Sequence, residues 1–278
     1  MNSIEFLHNK SKSEDGRSEI CQSEESVRFI VDACNEFTSE SPASSIFDAN
    51  NQLMFIRTIR NVCVNDLEEI FLDIFISTGI VFKVIKLCRD LVLKISLDET
   101  IDNDFKEESL PIVLSYVQFV ANFTAYGERA VDYFVNHAGS DLKAVQDLIA
   151  VCSVCRSSKI TSVVLAIVYN CCRVSSESSK SSIRLDMFCS NRLVLCQLLL
   201  VVMDTCGADF TRECEGEANQ AMEWLTLISF VLIKEYKVLT IFELVGPTSV
   251  AGLDEKRVTH EQVGQSSASV SHLTTIFC

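Results

Sequence analysis

The sequence is poor in the residues that interrupt regular structure: three prolines and nine glycines in 278 residues. An all-β sandwich or barrel needs a turn about every 8–12 residues, so this scarcity argues against one. No Gly-rich phosphate loop is present, which removes the usual support for a dinucleotide-binding α/β fold. Histidine is also scarce. The four (His8, His137, His260, His272) are scattered, with no HExxH and no spacing that suggests a Ser-His-Asp set. Carboxylates fall in loops and helix starts, so paired acid–base catalysis has no positive support, and the chain reads as a non-enzyme needing no cofactor. Positive charge is in short supply, with 24 Lys and Arg against 38 Asp and Glu for a net charge of −14. That balance disfavours nucleic acid as a partner, because sequence-independent binding needs a basic face that displaces counterions. Two short basic clusters, Arg57 with Arg60 and Lys83 with Lys86 and Arg89, read as solvated helix faces.

Long hydrophobic runs are missing too. The longest, Leu193 to Met203, is broken by Gln197 and falls short of the roughly 20 residues needed to cross a bilayer. The first residues, MNSIEFLHNKSKSEDGRSE, lack the apolar core of a signal peptide. The expected compartment is therefore the cytoplasm, and the thirteen cysteines are expected to be mostly free thiols.

Against these absences stands a hydrophobic fraction of 48%, arranged at helical spacing. Residues 1–23, rich in Ser, Glu and Lys, read as a disordered N-terminal arm. Residues 24–246 read almost entirely as helix, with Gly79 and Gly127 as punctuation and Ser109 as a cap preceding Pro111 in a first turn. A helix is expected over 185–204. Residues 247–278 turn polar and read as a disordered tail. Trp224, within MEWLTLISF, reads as core.

Three segments align on an asparagine: FIRTIRNVC (55–63), YVQFVANFT (116–124) and VLAIVYNCC (164–172). Five residues before, two before and two after each Asn lie on one helix ridge. The ridge is Ile56, Ile59, Cys63, then Val117, Val120, Thr124, then Leu165, Val168, Cys172. Asn is a middling helix former with four hydrogen-bonding sites, so its recurrence at the end of an apolar helix calls for a cause. Asn61, Asn122 and Asn170 either lock consecutive repeats by bonding a neighbouring backbone, or form a ladder along a concave groove that pairs with an extended or helical segment of a protein partner. Arg57 and Gln118 lie one turn earlier on the same face. About ten helices on short connections suggest either an irregular bundle or a solenoid of helix pairs and triplets; because armadillo repeats carry such an asparagine in this helix, the expectation is an all-α, armadillo-like α-solenoid, a right-handed superhelix of helical repeats. The Asn spacings of 61 and 48 residues exceed the roughly 40–47 of that class, so inserted loops are expected.

In order, FIRTIRNVCVN, VANFTAYGERAVDYF, VLAIVYNCC, and EWLTLISFVLIKEYKVLTIFELVGP with THEQV resemble segments of the ataxin-10 family, armadillo-type α-solenoids of the cytoplasm. The resemblance spans residues 50–263. The final GQSSASVSHLTTIFC resembles nothing in the family, so the family's C-terminal domain is expected to be missing. The resemblance implies a non-enzymatic scaffold acting through protein partners, in regulation of cytokinesis and, in animals, neuronal survival and neurite growth.

One alternative chemistry is present. CSVC places Cys152 and Cys155 at a spacing used for zinc or thiol exchange, and Cys171 with Cys172 would bring the set to four sulfurs. The competing reading is that these are buried thiols serving as small hydrophobes in a helical run, LIAVCSVC.

Overall fold

The computed structural model describes residues 3–39, 49–64, 69–97, 103–136, 142–172, 187, 191–207 and 215–236. Among the described residues there is no strand. The helices are α1 (Ile4–Lys10), α2 (Glu14–Gln22), α3 (Glu24–Thr38), α4 (Ala49–Val62), α5 (Glu69–Thr78), α6 (Ile80–Leu97), α7 (Asn103–Ala125), α8 (Glu128–Val135), α9 (Lys143–Cys155), α10 (Ser158–Cys172), α11 (Arg192–Gly207) and α12 (Glu215–Tyr236). The fold is all-α.

Helix contacts follow two lines. Along one, α1 packs on α4, α4 on α7, α7 on α10 and α10 on α12; along the other, α3 packs on α5 and α6, α6 on α9 and α9 on α11. Contacts of α6 with α7 and of α9 with α10 join the two. The ridges read from the sequence lie in the core between them: all nine positions from Ile56 to Cys172 are buried. Phenylalanine fills the middle of this core. Phe71, Phe75, Phe119, Phe123 and Phe134 are fully buried, and Phe75 meets Phe119 edge-on at 5.6 Å between ring centres, a favoured geometry for aromatic quadrupoles.

The N-terminal expectation is corrected. Residues 1–23 are not a disordered arm: from Ser3 onward they form α1 and α2, with Ile4, Leu7 and Ile20 buried. The serines that make this stretch look unstructured are helix N-caps. Ser3 Oγ accepts from the Phe6 amide at 3.1 Å, Ser13 Oγ from Gly16 at 3.1 Å and Ser23 Oγ from Ser26 at 3.2 Å. The acids beside them, Glu5, Glu14, Asp15, Glu24 and Glu25, occupy first turns, where the helix dipole favours negative charge. No boundary falls at residue 24, since Ser23 alone separates α2 from α3. Gly16 lets α2 close on α1: a Cβ there would sit 1.9 Å from the Lys10 carbonyl oxygen.

Two further boundaries differ. Helix α7 starts at Asn103, so Pro111 lies inside it and Ser109 is a buried helical residue instead of a cap. Proline removes one amide donor there, and the helix continues because α4, α6 and α10 all pack along it. The helix expected over 185–204 is interrupted at Asn191: Met187 is helical, α11 runs from Arg192 to Gly207, and 185–186 and 188–190 lie outside the described residues. Gly79 does divide α5 from α6, with φ of +68°, the left-handed conformation glycine supplies at helix ends. The expected tail, 247–278, and the end of the expected helical domain, 237–246, lie outside the described residues.

Candidate partner-binding surface

The three asparagines occupy equivalent stations on the line α1–α4–α7–α10, and each reaches back to the end of the preceding helix. Asn61 Nδ2 on α4 donates to Ser11 Oγ, at the C-cap of α1, at 3.1 Å. Asn122 Nδ2 on α7 donates to the Arg60 carbonyl in the last turn of α4 at 3.0 Å. Asn170 Nδ2 on α10 donates to the Ala121 carbonyl at 3.5 Å and to Thr124 Oγ1 at 3.3 Å, both in the last turn of α7. The last four carbonyls of a helix have no intrahelical donor. The carboxamide of the next helix supplies one at Arg60. This is the locking arrangement of the two considered from sequence. It engages only the amide nitrogens: among the described residues nothing donates to Oδ1 of Asn122 or Asn170. Both side chains are half-exposed.

Arg57 and Gln118 line the same groove beside the first two stations. Arg60 Nη1 donates to Gln118 Oε1 at 2.8 Å, and its Nε and Nη2 donate to Asn61 Oδ1 at 3.2 and 2.9 Å. Arg57 Nε donates to Ser115 Oγ at 3.4 Å. These side chains, with His8 and Lys12 at the end of α1 and Pro111 and Leu114 on α7, line a groove of about 430 Å³. Among the described residues no carboxylate lines it. Among the described residues Lys12, Arg57 and Arg60 form no ion pair, and each is held by neutral acceptors.

The electrostatics record the crowding. Burial, and then the neighbouring Arg57, lower the Arg60 pKa. Burial lowers that of His8, reinforced by Lys12, Arg57 and Arg60. Its Nδ1 is buried without a hydrogen-bond partner. The reading of Arg57 and Arg60 as a solvated helix face is therefore corrected: both are half-buried and face a second helix. Sequence reasoning also missed His8 and Lys12, because it left their segment unfolded; Leu7 three residues after Ile4 was the available signal.

The cysteine alternative has a different geometry. Cys152, Cys171 and Cys172 are buried and Cys155 is partly so. Burial pushes the Cys155 thiol up to about 11 and raises Cys34, Cys63 and Cys88 as well, away from the thiolate needed for exchange or metal binding. Among the described residues no three His, Cys, Asp or Glu side chains are placed to hold a metal ion. Trp224 stands 5.3 Å from Tyr169 between ring centres, half-buried against the core. No helix among the described residues is long and apolar enough to cross a membrane.

Compared with known proteins, the chain matches no family model, no curated protein and no solved structure.

Proposed function

We propose that the protein is a non-enzymatic helical-repeat scaffold, an armadillo-like α-solenoid that holds a segment of a protein partner along the surface of α4, α7 and α10. The observation that carries this reading is the repeated station: one residue type, at one place on α4, α7 and α10, donating from its amide nitrogen to the end of the helix packed before it, to a hydroxyl at Asn61 and to a backbone carbonyl at Asn122 and Asn170. Repetition of one contact along one line of helices is what stacked repeats produce, since each unit meets only its neighbours. The residues assigned to the partner are Arg57, Gln118 and the open oxygens of Asn122 and Asn170, with Asn61 organising Arg60. By resemblance to the ataxin-10 family, the setting is cytoplasmic, and regulation of cytokinesis, or neuronal survival and neurite growth in animals, is the process proposed.

Affinity capture from cell extract tests it, comparing the wild-type chain with Arg57→Ala/Gln118→Ala and with Lys83→Ala/Lys86→Ala on α6. The expected result is a set of captured proteins lost in the first variant and retained in the second. Identical capture by all three chains would overturn the assignment of this surface.

A further inference from the structure

We infer that the groove between α1, α4 and α7 is the seat of a short acidic segment of that partner, an assignment that rests on the scaffold reading above and makes it specific. The chain carries fourteen more acids than bases. Even so, the ends of α1 and α4 bring together Lys12, Arg57 and Arg60 with no carboxylate among the described residues that line the groove. Such a cluster repels itself, adding to the burial that is the main cause of the lowered pKa of Arg60 and of His8, and a protein so rich in Asp and Glu had ample means to neutralise it. What holds the cations instead is neutral: Ser115 on Arg57, and Asn61 and Gln118 on either side of Arg60. These bonds fix the guanidinium groups in place while leaving their charge uncompensated, the condition for preorganised recognition of an oxyanion.

Size and surroundings select the occupant. A space of about 430 Å³ lies toward the small end of ligand sites, roughly 300–1,000 Å³, and suits one or two side chains with their backbone. A nucleic acid would extend beyond three cations and meet the field of a chain with a net charge of −14, which repels it. Anionic membrane surfaces are generally met by clusters of about four to eight basic residues. A peptide places two or three carboxylates locally and needs no long basic track.

Fluorescence anisotropy with a fluorescein-labelled deca-glutamate peptide and the full chain tests this. Saturable binding is expected, weakening about tenfold in Lys12→Gln/Arg57→Gln and declining with added salt. Lys83→Gln/Lys86→Gln, which removes the same charge from α6, should bind as the wild type does, and thermal melts followed by circular dichroism confirm that both variants fold. The inference is overturned by an absence of saturable binding, by equal weakening in the two variants, or by a deoxythymidine decamer binding more tightly through the same residues. If deca-glutamate fails while protein capture still depends on Arg57 and Gln118, the acidic occupant is wrong and the scaffold reading stands.

Discussion

The stations at Asn61 and Asn122 differ from the one at Asn170 in what surrounds the same bond. At the first two, the carboxamides sit beside Arg57, Arg60, Lys12 and His8, with Gln118 and Ser115 as neutral holders. At the third, the neighbouring contacts are uncharged: Ser162 donates to Gln220 Oε1 at 3.1 Å and Tyr169 packs on Trp224. The bond is common to all three stations and so belongs to the architecture. Among the described residues the charge gathers at the first two stations and exceeds what the shared bond requires, which is why it is the better guide to a ligand.

Perturbing that contrast should separate architecture from recognition. The largest effect is expected from Gly16→Ala. Its new Cβ meets a backbone oxygen, which cannot move aside as a side chain would, so destabilisation near the upper end of the overpacking range, about 3 kcal/mol, is expected in urea unfolding. Because α1 carries His8 and leads into Lys12, this change should also abolish deca-glutamate binding; retained binding despite the lost stability would show that the groove does not require docked α1 and α2. Next comes Asn122→Ala, which leaves the Arg60 carbonyl without its donor and should cost about 1–2 kcal/mol. Asn170→Ala should cost less, about 0.5–1 kcal/mol, since its bonds are longer at 3.3 and 3.5 Å. Equal urea midpoints for wild type and Asn122→Ala would remove the lock.

The smallest effect concerns pH. His8 has a folded pKa below its ordinary 6.5, first through burial and then through Lys12, Arg57 and Arg60. Among the described residues the charged groups facing it are Lys12 from its own end of the chain and the two arginines of α4, and α7 presents Pro111, Leu114, Ser115 and Gln118. A base with a lowered folded pKa favours folding in its neutral form. Its contribution is complete above 6.5 and is lost as pH falls through that value toward the lowered folded one. The urea midpoint should therefore drop between about pH 7.5 and 5.5, and drop less in His8→Gln. An equal drop in both chains would place the titration elsewhere.

The helical class and the inward ridge were legible in the sequence because both depend on periodicity, and periodicity survives imperfect boundaries. The three asparagines were legible as a repeat, but their partners were not, since the bonds run between residues 46 to 62 apart. Helices α1 and α2 were misread because Ser-Glu composition serves both disorder and capping. Three serines followed by acids at the first turn, with Ile4, Leu7 and Ile20 between them, distinguish the two only once their spacing is weighed above their abundance. Arg57 and Arg60 were found in sequence and then discounted, since nothing in a single helix reveals that Lys12 arrives from forty-five residues upstream of Arg57.

The reach-back bonds also give the molecule a direction in time. Chain made first is completed by chain made later: the Ser11 hydroxyl waits 50 residues for its amide, the Arg60 carbonyl 62, and the Ala121 carbonyl 49. During synthesis each newly emerged layer therefore keeps an open end until its successor leaves the ribosome, and a chain halted between α4 and α7 would present a half-finished edge to any chaperone at the exit.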